Sequence, residues 1–154
     1  ILNTDTIRLL NNHLQTTSVS QNRKKWEREL ATDNTRREAQ AVQDAAETLH
    51  ENFVKRAFQT DSICQLATAS PHPVLVCGDF NSLLSSYTYH RLSESLKDGF
   101  KTGGHGYMYT YRYGKRMLRI DYAFHSPELE CTDYYSPNLD LCSDHNPVIF
   151  TVKY

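Results

Sequence analysis

The sequence predicts an α/β fold of the α+β kind, in which a mixed sheet packs against a long amphipathic helix. Three observations support this class. Short apolar runs bounded by turn residues recur along the chain, one long stretch repeats apolar side chains at helical spacing, and the second half contains several strand-like segments. The predicted order is a strand, helices, a second strand, a helix and four strands, which favours mixed or antiparallel pairing in the second half.

The first predicted strand covers residues 6–14 and ends in the polar run Asn11, Asn12 and His13. A helix is predicted next over residues 21–31. His13 alone is more often a structural histidine, but its place after a strand and behind two asparagines favours a functional role.

A second, longer helix begins at a capping-box pattern at residues 35–38, where a threonine and a glutamate satisfy free backbone N–H groups. Apolar residues then recur from Ala39 to Leu66, a spacing that extends to about Ala69 with a kink near Thr60 as an option. The stripe is either a coiled-coil seam or a face that packs on a sheet. Its many alanines favour the sheet.

The remaining elements are short and separated by turns. In chain order they are a strand over 74–77 after two prolines, a helix near 86–97, a glycine loop at 103–106, a hairpin of 107–113 and 117–124 about Gly114 and Lys115, and strands over 129–135 and 147–153. Tyrosines alternate along 107–113, either as one side of the hairpin or as a surface that stacks a base or sugar.

Composition excludes some classes of protein. The 154 residues fit one domain, predicted to span 1–154, and 39% hydrophobic with 23% charged residues is typical of a globular chain. A net charge of −1 argues against non-specific coating of nucleic acid. No run approaches the ~18 apolar residues of a membrane span, so the chain as given is expected to be soluble.

The four cysteines form no C-x-x-C pair and are expected to be free thiols, with a Cys131–Cys142 bridge as the alternative.

Carboxylates, an amide and an imidazole lie at strand ends, where clefts form. Asp79 and Asn81 follow the strand over 74–77, and Asp144 and His145 precede the last strand. These groups are suited to phosphoester cleavage, which needs an oriented water and compensation of developing negative charge. The alternative for Asp79 and Asn81 is an Asx turn without chemistry.

Asp121 is a carboxylate inside a predicted strand, where a charge requires a partner. His145 is the natural partner if their strands are neighbours, and Asp121 would then fix its tautomer and raise its pKa. The alternative is an ion pair of Asp121 with Arg119 or Arg116. The other histidines are expected to face solvent: His50, His72, His90, His105 and His125.

Four motifs in this order resemble the endonuclease/exonuclease/phosphatase superfamily, which has the deoxyribonuclease I-like fold. They are Asn12-His13-Leu14, Gly78-Asp79-Phe80-Asn81, Arg119-Ile120-Asp121-Tyr122 and Ser143-Asp144-His145, and they span nearly the whole chain. The resemblance is to the C-terminal half of the domain, most like uncharacterised bacterial members. It implies half of a four-layer αββα sandwich, with the N-terminal half absent.

The resemblance also implies an activity and roles for individual residues. It implies a phosphodiesterase or phosphatase, nuclease-like, that depends on Mg²⁺ or Mn²⁺. The catalytic residues would be His13, Asp79, Asn81, Asp121 and His145, the metal ligands Asp144 and Asp79, and the substrate-binding residues Asn12, Asn81 and Arg119. The substrate would be a nucleic acid, a lipid headgroup or a small phosphodiester.

One family feature is missing, because no strand-end glutamate of the kind that serves the family as a metal ligand precedes the His13 strand. The isolated chain is therefore expected to be inactive and to need the missing N-terminal half of the domain. Its sheet is expected to have an uncovered apolar face that supports self-association, formed by Leu75, Cys77, Ile120, Tyr122, Val148 and Phe150 or their alternates. The alternative function is an inactive binding module that retains the fold.

Overall fold

The structure is a computed structural model that describes residues 6–17, 22, 27, 28, 31, 35–113, 117–139 and 142–154. Several predicted features lie wholly or mostly outside these residues. They are the helix over 21–31, the side chains at 35–37 of the capping box, Arg116 and the Gly114–Lys115 turn. The chain divides into two compact units, one of residues 1–14 with 59–154 and one of residues 15–58.

The described elements follow one another with short connections in the second half of the chain. They are β1 (Arg8–His13), α1 (Thr35–Thr68), β2 (Val74–Asp79), α2 (Tyr87–Ser93), β3 (Lys97–Asp98), α3 (Gly99–Gly103), β4 (Asp121–His125), β5 (Glu130–Tyr135) and β6 (Ile149–Lys153). Among the described elements no helix is both long and apolar enough to cross a bilayer.

Four strands form a mixed sheet in the order β1-β2-β4-β3. β1 is parallel to β2, and β4 is antiparallel to both of its neighbours, β2 and β3. β5 and β6 form a separate antiparallel pair. This mixed α/β arrangement confirms the predicted fold class.

The predicted hairpin over 107–124 is largely wrong. β4 begins only at Asp121, and residues 107–113 contain no strand. The two segments meet in one antiparallel bridge between Tyr111 and Leu118. The side chain of Thr110 accepts hydrogen bonds from the backbone N–H groups of Ile120 and Asp121. These side-chain contacts replace part of the backbone ladder expected of a hairpin.

One face of the four-stranded sheet carries the main core. Val76 and Phe124 alternate with residues of the opposite face and pack with Ile63 from the second part of α1 and with Tyr89 and Leu92 of α2. The predicted packing of the long helix on the sheet is therefore confirmed for residues 59–68. Full burial of side chains of this size stabilises the fold by about 1.5–3 kcal/mol each.

The opposite face of the sheet packs only in part against the β5–β6 pair. Ala123 of β4 forms a second buried cluster with Cys131 and Tyr134 of β5. Cys77 of β2 is half-buried there, and Leu9 of the edge strand β1 is 60% exposed. Tyr122 was expected on this face, but it is buried in the main core because it alternates with Ala123.

The unit of residues 15–58 contains the first part of α1 and the segment before it. Arg56 is buried and donates to the carbonyl oxygen of Gln15 at 2.8 Å, with its guanidinium 4.7 Å from the ring centre of Phe53. Asn52 donates to the carbonyl of Thr17 at 3.4 Å. Polar side chains of the helix therefore hold the preceding segment within this unit.

His125 corrects the expectation that the remaining histidines face solvent. It is 1% exposed at the end of β4, with Nδ1 2.9 Å from the carbonyl oxygen of Ser126 and Nε2 3.1 Å from the hydroxyl of Thr102. The neighbouring element α3 supplies that hydroxyl, which sequence spacing alone does not reveal. The other four histidines of that group are exposed, and the four cysteines are free.

Candidate active site

The site lies where three neighbouring strands of the sheet end or begin. His13 is opposite Asp79 in the β1–β2 register, and Asp79 is opposite Asp121 in the β2–β4 register. Directly opposed residues in neighbouring strands have Cβ atoms about 4.5–5.5 Å apart. The sheet register alone therefore brings an imidazole and two carboxylates into one row.

A tight turn after β2 holds Asp79. Its Oδ1 accepts the backbone N–H of Asn81 at 2.8 Å, and its Oδ2 accepts the Asn81 side-chain amide at 3.1 Å. Asn81 adopts a left-handed φ of 47°, which asparagine tolerates better than most residues. The Asx turn and the predicted pairing of acid and amide thus coexist in this structure.

Gly78 permits the close approach of β1 to this turn. Its φ is 132°, and an added Cβ would lie 1.8 Å from the carbonyl oxygen of Asn12. Only glycine fits both the backbone conformation and the space. The position of Asp79 beside β1 therefore depends on the residue before it.

Asp121 and His145 form the hydrogen bond that the sequence predicts. Oδ2 of Asp121 lies 2.8 Å from Nδ1 of His145, while Nε2 of His145 lies 4.0 Å from Oδ2 of Asp79. The two residues were expected to meet because their strands are neighbours, and this is wrong. His145 lies in the loop before β6, and β6 pairs with β5 rather than with β4. A single bridge joins His145 to Tyr111.

The site perturbs the pKa values of its acid and its imidazole. The hydrogen bond to Asp121 raises the pKa of His145, and this outweighs the lowering effect of burial. Burial raises the pKa of Asp79, with the nearby charge of Asp121 acting in the same direction and the Asn81 N–H opposing it. The site therefore favours a protonated imidazole and disfavours an isolated Asp79 carboxylate.

The chemistry of this cluster fits a divalent cation. Asp79, Asp121 and His145 each offer a ligand atom within 4.8 Å of the others, and all three side chains are half-buried. Carboxylate oxygens suit Mg²⁺ and Mn²⁺, and a cation beside them would offset the cost of two desolvated negative charges. Among the described residues, this is the cluster that could hold a metal ion.

His13 and Asn81, two of the predicted catalytic residues, lie next to this cluster. Nε2 of the exposed His13 is 3.5 Å from Oδ2 of Asp79. The Asn81 amide also donates to the carbonyl oxygen of Leu14 at 3.1 Å, so it connects the end of β1 with the turn after β2. His13 is free to contact a ligand in solvent, whereas Asn81 is held in place.

Arg119 lies outside the cluster. Its guanidinium is buried, donates to both carboxylate oxygens of Asp98 at 3.1 and 2.7 Å, and stacks over the rings of Phe100 and Tyr122. This placement argues against the predicted contact of Arg119 with substrate. Because Arg119 pairs with Asp98, Asp121 is available to pair with His145. The short strand β3, which supplies Asp98, was not predicted.

Asn12 and Asp144 are also placed apart from the cluster. The Asn12 amide donates to the carbonyl oxygens of Leu10 and Cys77, because Asn12 lies on the opposite face of β1 from His13. Asp144 is exposed and does not belong to the three-residue group, although it lies next to His145 in the chain.

The structure adds residues that the sequence did not single out. Asn11 and Asn146 line a cleft beside Asp121 and His145. The Asn146 side chain is buried, and neither of its polar atoms has a hydrogen-bond partner within the described part of the chain. Side chains two residues apart in a strand point to the same face, so the position of His13 could have identified Asn11 as a site residue. No local pattern in the sequence identifies Asn146.

The sequence model of the Endonuclease/Exonuclease/phosphatase family matches residues 13–145, which include every member of the cluster. The chain belongs to this family. The match covers most of the chain, and no curated protein matches the sequence significantly.

Solved structures of family members and other proteins share the fold. A conserved protein of unknown function from Enterococcus faecalis V583 aligns over 66% of this chain with 18% identity and a TM-score of 0.59. An endonuclease/exonuclease/phosphatase from Bacteroides vulgatus aligns over 67% with 26% identity and a TM-score of 0.54. Truncated TDP2 from Caenorhabditis elegans aligns over 96% with 17% identity and a TM-score of 0.55. The alignments cover 45%, 44% and 55% of those three chains.

Proposed function

We propose that the protein containing this chain is a divalent-metal-dependent hydrolase of phosphoester bonds, acting on phosphodiesters. The observation that carries the proposal is the convergence of Asp79, Asp121 and His145 within 4.8 Å at one edge of the sheet. Family membership supports hydrolysis in general. The near-neutral charge of the chain favours a small phosphodiester or a lipid headgroup over long nucleic acid.

In the proposed mechanism His145 acts as a hydrogen-bond donor to the phosphoryl group. The Nδ1–H would donate to Asp121, which orients the ring, and the raised pKa favours an imidazolium with a second N–H at Nε2, on the side that faces Asp79. That N–H would donate to a phosphoryl oxygen as negative charge develops on it. His13 would contact the same phosphoryl group from the solvent side.

Asp79 would accept a hydrogen bond from the attacking water and orient it toward phosphorus. The turn to Asn81 fixes the carboxylate for this task. We propose Asp79 and Asp121 as ligands of Mg²⁺ or Mn²⁺, with Asp144 as a further candidate from the adjacent loop. When bound, the cation supplies positive charge that offsets the charge of the phosphoryl and leaving oxygens.

We further propose that activity requires a longer chain than these 154 residues. The chain spans only 44–55% of the length of the three solved proteins described above. The proposed additional element is an N-terminal half of the same domain.

The test is hydrolysis of bis-p-nitrophenyl phosphate by the intact protein with and without Mg²⁺ or Mn²⁺. We expect Asp79→Asn and His145→Gln each to lower kcat by about 10²–10⁴-fold with little loss of stability. Exposed His105 supplies the matched control, so His105→Gln should leave turnover unchanged. Turnover measured beside a calorimetric titration with the cation separates the alternatives, because an inactive binding module would show no turnover whether or not it bound metal.

A further inference from the structure

Residues 110–112 connect the two chain segments that carry the site. Thr110 is fully buried, and its hydroxyl oxygen accepts the backbone N–H groups of Ile120 at 3.0 Å and of Asp121 at 3.1 Å. Asp121 is the first residue of β4, so the hydroxyl contacts the backbone at the residue whose carboxylate binds His145.

The same segment holds the loop of His145 on both sides. The carbonyl oxygen of Thr110 accepts the N–H of Asn146 at 2.7 Å, and the N–H of Arg112 donates to the carbonyl oxygen of Asp144 at 2.8 Å. Between them, the ring of Tyr111 meets the His145 imidazole edge-on with centroids 5.2 Å apart. The loop before β6 is thus fixed to a segment that is also bonded to the start of β4.

We propose that Thr110 is a positioning residue that sets the distance between Asp121 and His145 for the reaction, an inference that rests on the proposed function. His145 belongs to a loop whose strand pairs elsewhere, so the main sheet does not determine that distance. The Thr110 hydroxyl oxygen accepts a hydrogen bond from the start of β4, and the Thr110 carbonyl oxygen accepts one from the loop that carries His145. Loss of the hydroxyl leaves two backbone N–H groups without their acceptor, and the start of β4 would shift to find new ones.

The test compares variants of Thr110 in the intact protein. Thr110→Val keeps the shape and removes the acceptor, and Thr110→Ser keeps the acceptor. We expect Thr110→Val to lower kcat by about 10–100-fold with KM within about twofold, since small misplacements of catalytic groups cost rates of this order. Thr110→Ser should restore kcat to within about threefold of the unchanged protein.

Thr88→Val is the matched control. Thr88 is also a buried threonine whose hydroxyl bonds to another hydroxyl, that of Thr60 at 3.1 Å, but it belongs to α2 and lies outside the site. It should lose stability while kcat stays within about twofold. An equal fall of kcat in Thr88→Val, or an unchanged kcat in Thr110→Val, would overturn the proposal.

A crystal structure of Thr110→Val tests the inference without activity. We expect the Asp121 Oδ2 to His145 Nδ1 distance to exceed hydrogen-bonding range, and a distance still at 2.8 Å overturns it. An inactive unchanged protein would refute the proposed function while this measurement still decides the role of Thr110. If Thr110→Val fails to fold, Thr110→Ala takes its place in both measurements. If neither variant folds, Thr110 serves stability alone and the proposed positioning role is overturned.

Discussion

Asp121 shows how one side chain sets the properties of another across 24 residues of sequence. A carboxylate at the start of a buried strand is costly unless a charged or hydrogen-bonding group compensates it. His145 provides that compensation and in return acquires a fixed ring orientation and a raised pKa. The need for a partner was readable from the sequence, because Asp121 interrupts an apolar pattern.

Replacing Asp121 by Asn should lower the pKa of His145. Without the carboxylate the largest raising influence is gone and the lowering effect of burial remains, so the pKa should fall toward the ordinary histidine value. The measurement is NMR titration of the His145 ring with a chelator present. Asp133→Asn on the exposed side of β5 is the control and should leave the titration unchanged. An unaltered His145 titration in the Asp121 variant would contradict the role of this contact.

The same raised pKa predicts a pH dependence of stability in the chelated protein. Because the folded-state pKa of His145 lies above the ordinary value of about 6.5, its contribution to the free energy of unfolding is complete below pH ~6.5. The contribution is lost as pH rises through the raised pKa. The free energies of unfolding of the unchanged protein and of His145→Gln, measured with urea, should therefore differ more at pH 6 than at pH 9. An equal difference at both pH values would contradict this prediction.

At the scale of elements, the β1–β2 contact depends on Gly78. Alanine at this position combines a backbone φ of 132° with a Cβ 1.8 Å from the Asn12 carbonyl oxygen. The loss of unfolding free energy should exceed the ~1–3 kcal/mol typical of backbone strain alone. Gly106→Ala is the control, since φ there is 69° but nothing lies within 4 Å, and it should cost about 1–2 kcal/mol. Equal losses in chemical denaturation would refute this account.

The junction of β3 and α3 depends on the buried pair of Asp98 and Arg119. Asp98 also accepts the hydroxyl of Tyr89 at 2.7 Å and the N–H of Phe100 at 3.0 Å. Asp98→Asn leaves the buried guanidinium without its counter-charge and should cost about 3–5 kcal/mol of unfolding free energy. Glu94→Gln, which removes the exposed carboxylate that pairs with Arg91, should change stability little. A small loss in Asp98→Asn would show that Arg119 is compensated elsewhere.

At the scale of the whole molecule, the sheet face that carries Leu9 and Cys77 is only partly covered by β5 and β6. Exposed apolar surface costs about 25 cal/mol per Å². We therefore propose that these 154 residues alone self-associate through this face and turn over no substrate. Leu9→Lys should reduce the association seen by light scattering, whereas Leu66→Lys on α1, where leucine is also exposed, should not. A folded monomer with full magnesium-dependent activity would contradict this.

The sequence by itself determined the mixed α/β class, the long helix, and the strand ends that carry Asp79, Asp121 and His145. These follow from local causes. Hydrophobic periodicity fixes which residues face a core, and the desolvation cost of Asp121 demands a partner such as His145. The place of His13 after a strand was likewise readable from the sequence, whereas its position opposite Asp79 came from the parallel pairing of β1 with β2 in the structure.

Only the tertiary structure decided which segments meet. The separate β5–β6 pair, the short strand that brings Asp98 to Arg119, the burial of His125 and the bonds from Thr110 to both halves of the site all join residues distant in sequence. Such contacts depend on loop paths and on competition among several partners of similar chemistry. Arg119 could have paired with either acid, and the geometry of β3 gave it Asp98 and left Asp121 to His145, because each buried charge can be satisfied only by a group that the fold brings within a few ångströms.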